Sequence, residues 1–187
     1  MSDLLLRPLA EGEAAAALDV HLSARLAATA SGTMPPLAHP LSDAPRWFDE
    51  VVRTREVWVA ERSGPLVGLL VLDTAFLDQL YVRPGSQRLG IGTALLDLAK
   101  ALRPAGFDLW VFEVNTPAIA LYERSGLAVV EQTQGAGNDE RAPDRRYRWA
   151  GRTSTGGAST EGASTGGAST EGVAHTSVGP GAHTGLA

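Results

Sequence analysis

The stretch from Leu80 to Leu95, LYVRPGSQRLGIGTAL, holds two glycines, an arginine and the start of an apolar run at helical spacing. Leu80, Tyr81 and Val82 read as the end of a strand. Arg83-Pro84-Gly85-Ser86 closes it, because proline cannot extend a ladder and glycine tolerates positive φ. Gln87, Arg88, Leu89, Gly90, Ile91 and Gly92 then run into Thr93 to Lys100, whose apolar residues recur as on one face of a helix. Glycines where a helix begins leave backbone N–H groups uncovered. With the positive end of the helix dipole these groups make an anion site suited to phosphate, and Arg88 adds a cation beside it. A glycine pair at a helix start is also a common tight turn, so the phosphate reading needs a second feature.

That feature lies downstream, in Asn115-Thr116-Pro117-Ala118-Ile119-Ala120-Leu121-Tyr122-Glu123-Arg124-Ser125-Gly126-Leu127. The two segments, in this order and separation, resemble the GNAT superfamily of acetyl-CoA-dependent N-acetyltransferases. Its pattern is Q/R-x-x-G-x-G/A after a strand ending in V-x-P, followed by N-x-x-A-x-x-x-Y-x-x-x-G-F. The chain matches the first part in full. It departs from the second only at Leu127, a packing position where phenylalanine is usual. The resemblance covers roughly residues 3–149 and is most specific over 75–149. The closing TQGAGNDERAPDRRYRW also looks like the end of one bacterial subgroup, which fixes no substrate.

The resemblance implies acetyl-CoA as co-substrate, no metal, and direct transfer to an amine in a ternary complex. It implies that Leu80, Tyr81 and Val82 bond the pantetheine arm through main-chain groups, with the strand splaying from its neighbour to admit the acetyl group. A backbone N–H near Leu80 would face the acetyl carbonyl oxygen, and such a donor is worth about 3 kcal/mol in a barrier. The amides from Gln87 and Arg88 through Leu89, Gly90, Ile91 and Gly92 to Thr93 would take the pyrophosphate. Tyr122 matches a residue that stands near the cofactor sulfur in many members. A phenol with pKa near 10 can protonate a departing thiolate whose thiol has pKa near 8.5. The other reading of Tyr122 is one more apolar-face residue of its helix, beside Ile119. Asn115 is expected to hold pantetheine or to cap the helix that follows it, a task asparagine also suits.

An alkyl amine near pKa 10 must lose a proton before it attacks. One common superfamily position for a glutamate falls here on Phe76 and another on Trp110, so neither supplies a carboxylate. Asp78, two residues beyond Phe76 and so pointing to the same face of that strand, is the first candidate base. Glu113 is the second, and a water relay is the third route. Asp139 and Glu140, in the late loop, could instead bind a cationic acceptor. The acceptor expected is a primary amine of a small molecule, with a protein N-terminus or lysine as the alternative. A non-catalytic acyl-CoA-binding module is the reading from a different class. Trp47, Phe48 and Trp110 are candidate aromatic walls, Trp110 being also a natural core residue.

Composition sets the frame. The 187 residues are 44% hydrophobic with a net charge of −5, enough for one packed domain and something extra. Arg152, Glu161 and Glu171 are the only charges beyond Gly151, so the preceding body keeps 15 of 16 basic and 19 of 21 acidic residues, a net −4. That balance argues against nucleic acid as partner and suits a cationic acceptor. With no cysteine, disulfides, thiolate catalysis and cysteine-bound zinc are excluded. His21, His39, His175 and His183 show no metal spacing. No signal peptide is visible, and the longest late apolar run, Leu66 to Leu72, is far short of the ~20 residues of a membrane span. A cytoplasmic monomer or homodimer is the expectation.

The elements that must position these groups follow from periodicity and punctuation. Strands are expected at residues 3–9, 56–62, 65–73, 75–82, 107–114, 127–133 and 145–149. Helices are expected at 11–30, through Trp47 to Val52 with Ser42 or Asp43 as cap, at 90–102 and at 115–125. Residues 29–45 and 134–144 read as long loops flanking the acceptor. The fold class is thus mixed α/β, with a mostly antiparallel central sheet of six to seven strands and about four helices, and a parallel right-handed crossover over 75–114. His21 is expected to be a packed or polar-edge side chain. From Gly151 the GGASTEGAST repeat cannot bury enough surface to offset ordering entropy, so 151–187 reads as a disordered tail after a transferase domain of 1–150.

Overall fold

The computed structural model describes residues 3–152, and the expected tail lies outside the described residues from 153 onward. In chain order the elements are β1 (Leu4–Pro8), α1 (Ala14–Ala30), a 3-10 turn (Leu41–Asp43), α2 (Ala44–Thr54), β2 (Glu56–Arg62), β3 (Leu66–Leu72), β4 (Leu77–Val82), α3 (Ile91–Leu102), β5 (Phe107–Phe112), α4 (Thr116–Arg124), β6 (Ala128–Thr133) and β7 (Asp144–Trp149). This is the mixed α/β layout read from the sequence.

The strands do not form one continuous sheet. β1-β2-β3-β4 make one antiparallel sheet and β5-β7-β6 a second. Among the described residues a single parallel bridge, Phe76 to Asp108, joins them, with the Asp108 N–H donating to the Ala75 carbonyl at 2.9 Å. β3 and β4 pair Val71 with Gln79 and Leu72 with Leu77, so Asp78 is an extra residue on β4. A bulge of this kind bends its strand and increases the local twist. β4 therefore leaves β5 just after the bridge, and no ladder connects the two beyond it.

Two apolar clusters hold the helices on opposite faces of the first sheet. Leu70, Leu72, Leu80 and Val82 pack with Ile91, Leu95 and Leu96 of α3, with Leu109 and Val111 of β5, and with Leu121 and Tyr122 of α4. Leu69, Val71 and Tyr81 pack on the other face with Ala17, Val20, Ala24 and Ala28 of α1 and with Phe48 of α2. β3 is buried on both faces, which explains its unbroken apolar run. A Cβ on Gly68 of β3 would lie 2.9 Å from Leu95 Cδ1 and 3.1 Å from Ile91 Cγ2. The absence of a side chain there seats the first turn of α3 against the sheet.

Two expectations about helix starts need correction. The first helix begins at Ala14 rather than residue 11, because Gly12 adopts φ +83° and the Ala10 N–H bonds back to Glu13 Oε2 at 3.0 Å, closing a turn. Asp43 stands at the N-cap of α2 but makes no side-chain cap bond. Its backbone already sits in the helical region as the end of the 3-10 turn, whereas a capping residue is normally extended.

Candidate active site

The turn from Gln87 to Thr93 ends β4 and opens α3. The Gln87 side chain ties it back by donating Nε2–H to the Val82 carbonyl at 3.3 Å. Arg88 sits at φ +60° and Gly90, the N-cap, at φ +81°, with no side chain capping the helix. The helix closes its first backbone bond from Ala94 N–H to the Gly90 carbonyl, at 2.9 Å. The N–H groups of Ile91, Gly92 and Thr93 therefore have no acceptor within the helix. A Cβ at Gly90 would meet nothing within 4 Å, so the N-cap itself faces open space, while Ile91 and Gly92 are buried and Thr93 is exposed. Arg88, Leu89 and Gly90 are exposed.

Behind the turn, Leu80, Tyr81 and Val82 are buried. Tyr122 is also buried, in the cluster that holds Leu80 and Val82 of β4 and Leu109 and Val111 of β5. Its ring lies 6.2 Å from that of Tyr147 on β7. Asn115 accepts the Ala118 N–H through Oδ1 at 3.3 Å and so caps α4. Its Nδ2 is buried and has no hydrogen-bond partner. Burying an amide donor unpaired is costly, and the cost is recovered when a bound group supplies an acceptor. Open helix amides, a sheet that divides beside them and an unanswered buried donor all fit an extended ligand with a phosphate at one end and an amide in its arm.

The model of the acetyltransferase (GNAT) family matches residues 26–127. The chain belongs to the GNAT acetyltransferase family. It is an N-acetyltransferase by kind, and acetyl-CoA is the family's co-substrate. The peptidyl-lysine N-acetyltransferase YiaC of Escherichia coli (strain K12) is 32% identical over 101 residues, spanning 50% of this chain and 68% of that one. The probable N-acetyltransferase Rv2775 of Mycobacterium tuberculosis is 34% identical over 85 residues, 41% of this chain and 49% of that one. Among solved structures, the ribosomal-protein-S18-alanine N-acetyltransferase of Escherichia coli superposes with TM-score 0.63 at 19% identity, over 81% of this chain and 97% of that one. A GCN5-related N-acetyltransferase of Rhodopseudomonas palustris gives 0.65 at 18% identity, over 80% and 97%. At that identity the superpositions speak to the fold alone.

The carboxylates of this GNAT chain are largely engaged. Asp78 Oδ2 accepts from Arg55 Nε at 2.9 Å, and Arg55 also lies 3.5 Å from Asp73. Because Asp78 is the bulge residue, the alternation that placed it on the face of Phe76 does not carry across it. Glu113 accepts from Arg145 Nε at 3.1 Å. Glu140, expected to meet an acceptor from the late loop, instead turns inward. Its side chain is 2% exposed and 3.4 Å from Arg25.

The two loops expected to flank an acceptor do come together. His39 Nε2 lies 3.0 Å from Asp139 Oδ2, and a polar cleft of about 270 Å³ opens there between Ala38-His39 on one side and residues 136–139 with Arg141 on the other. The wall from β6 to β7 is tied internally. Asn138 Nδ2 donates to the Ala142 carbonyl and to Asp144 Oδ2, both at 2.8 Å, and Asn138 Oδ1 accepts the Ala142 N–H at 3.1 Å. The aromatic side chains expected as walls divide. Phe48 is core. Trp110 is buried with the Arg146 guanidinium 5.8 Å from its ring centre. Trp47 is half-buried, its ring 5.0 Å from His21.

His21 is packed, as expected, with the Tyr81 ring 4.6 Å away on its other side. Burial, with the Arg25 guanidinium adding to it, pushes its pKa down to about 3, so the imidazole is neutral near neutrality and a poor base. Burial raises the Tyr81 phenol and keeps it protonated. The linkage of Arg25 to Glu140 had no sequence signal beyond the two charges, since 115 residues separate them. Among the described residues no group of three or more His, Asp or Glu could hold a metal ion, and no helix is long and apolar enough to cross a membrane.

Proposed function

We propose that the protein transfers the acetyl group of acetyl-CoA to a primary alkylamine, presented as a lysine side chain or as a small amine of similar width. The observation that carries this reading is the open N-terminus of α3 beside a sheet that parts between β4 and β5. The amides of Ile91, Gly92 and Thr93, with Arg88, hold the pyrophosphate. The edge of β4 at Leu80, Tyr81 and Val82 holds the pantetheine arm as an added strand would, and Asn115 Nδ2 donates to one of its carbonyls. Acetyl-CoA supplies an activated thioester. The amine nitrogen forms its bond to the acetyl carbon as the carbon–sulfur bond breaks, and a backbone N–H near Leu80 stabilises the charge growing on the carbonyl oxygen. The Tyr122 hydroxyl gives its proton to the departing thiolate and is reprotonated from solvent. The amine's own proton leaves through water or to Asp78, whose Oδ2 must first exchange Arg55 for the acceptor.

The amine approaches through the cleft at His39 and Asp139, where Asp139 meets its ammonium form. A lysine acceptor is supported by the similarity to a peptidyl-lysine N-acetyltransferase. A small-molecule amine is supported by the cleft's size, about 270 Å³, behind an internally tied wall. Thiol release measured over an end-blocked lysine peptide, a peptide with a free N-terminus, n-butylamine and spermidine separates the two. A peptide-directed enzyme turns over the blocked lysine peptide far better than n-butylamine, which is the bare side chain. Acetyl-CoA binding with no amine-dependent thiol release would leave only a binding module. Asp139→Asn is expected to raise KM for the best of these amines by roughly tenfold, the worth of one charge-assisted bond, with KM for acetyl-CoA unchanged. An amine KM unchanged from wild type in this variant would remove Asp139 from the acceptor site.

A further inference from the structure

Arg25 is fully buried on α1. Its Nη1 donates to Thr29 Oγ1 at 2.6 Å and to the Pro35 carbonyl at 2.7 Å. Its Nη2 reaches Glu140 Oε1 at 3.4 Å, and its Nε has no partner. One guanidinium thus joins α1, the loop that leaves it and the loop between β6 and β7. It also acts on Tyr81 of β4, whose phenol feels both Arg25 and Glu140. The two loops it joins are the two walls of the polar cleft. The wall over 135–144 is tied to itself by Asn138, to the end of β5 by the Glu113 N–H on the Pro143 carbonyl and to the α1 cluster by Ala142. Across the cleft, Arg25–Glu140 inside and His39–Asp139 at the mouth join it to α1 and the loop that follows.

A buried ion pair is a poor way to gain stability. Well-packed apolar residues of similar volume usually serve as well or better, while removal of one partner alone is strongly destabilising. What a guanidinium adds is a planar fork that fixes several partners in distance and direction at once. We propose that Arg25 and Glu140 are positioning residues that set the width of the acceptor cleft and its alignment with β4. The proposal rests on the reading of that cleft as the acceptor's entrance.

The test separates folding from positioning. Arg25→Met should lower the melting temperature by leaving the Glu140 carboxylate buried alone. The double variant Arg25→Met/Glu140→Leu should regain or exceed the wild-type melting temperature. In the double variant KM for the best panel amine should still be raised, on the order of tenfold to a hundredfold for a shifted wall, with KM for acetyl-CoA unchanged. Arg25→Lys keeps the charge but replaces the planar fork by a single nitrogen, which cannot hold Thr29 and Pro35 on one arm and Glu140 on the other in the same geometry, and should also raise the amine KM. A stable double variant with wild-type amine KM, or an unchanged amine KM in Arg25→Lys, would overturn the proposal and leave the pair a purely structural tie. If Asp139→Asn moves the amine KM and these variants do not, the positioning role fails while the cleft stands. If none of them moves it, the cleft itself is misplaced.

Discussion

Gly90→Glu is expected to abolish acetyl-CoA binding in a protein that remains folded. Gly90 holds φ +81° at the N-cap of α3, and any other residue there carries about 1–2 kcal/mol of backbone strain. A new Cβ meets no neighbour within 4 Å, so neither apolar cluster is disturbed. The carboxylate projects in front of the helix amides and competes with the pyrophosphate for them, adding like-charge repulsion. Isothermal titration should show at least a hundredfold loss of affinity, on the order of 3 kcal/mol, against a melting temperature only slightly lowered. Gly90→Ala, which brings the strain without the charge, should keep most of the affinity. Equal affinity in the glutamate variant would place the pyrophosphate elsewhere.

Tyr122→Phe is expected to lower kcat by roughly 10²–10³, the usual worth of a general acid, with KM for acetyl-CoA little changed. The ring stays in the cluster between β4, β5 and α4, so the substitution removes a proton donor rather than packing. If Tyr122 only fills that cluster, stopped-flow and steady-state rates will match the wild type and thermal stability alone will shift. A full-rate variant therefore returns Tyr122 to the apolar-face reading that its helical register also allows.

What could be read in advance was whatever has a local cause. The end of β4, the turn and the start of α3 were legible because proline and glycine impose backbone demands within a few residues. β3 was legible because burial on both faces writes an unbroken apolar run. Asn115 was legible as a helix cap for the same local reason, although the buried, unanswered Nδ2 behind the cap was not. The bulge at Asp78 left no mark in the sequence, and it both parts the two sheets and spoils the alternation used to aim Asp78. The inward turn of Glu140 was hidden too. A charged residue in a polar loop looks solvated until its partner, 115 residues earlier, is brought beside it by the fold. His39 and Asp139 meet across 100 residues in the same way. Tertiary pairs of this kind shape the polar cleft between the two loops, which is why the family and its co-substrate were readable while the acceptor was not.

If the amides opening α3 cradle a pyrophosphate and β4 takes the pantetheine arm along its edge beside β5, both segments lose exchangeable amides to the bound cofactor. Amide hydrogen exchange with and without saturating coenzyme A tests it directly. New protection is expected at residues 87–93 and 80–82, with the remaining edge strands β1 and β6 unchanged. Protection that appears only elsewhere, with the α3 turn exchanging at its free rate, would contradict it.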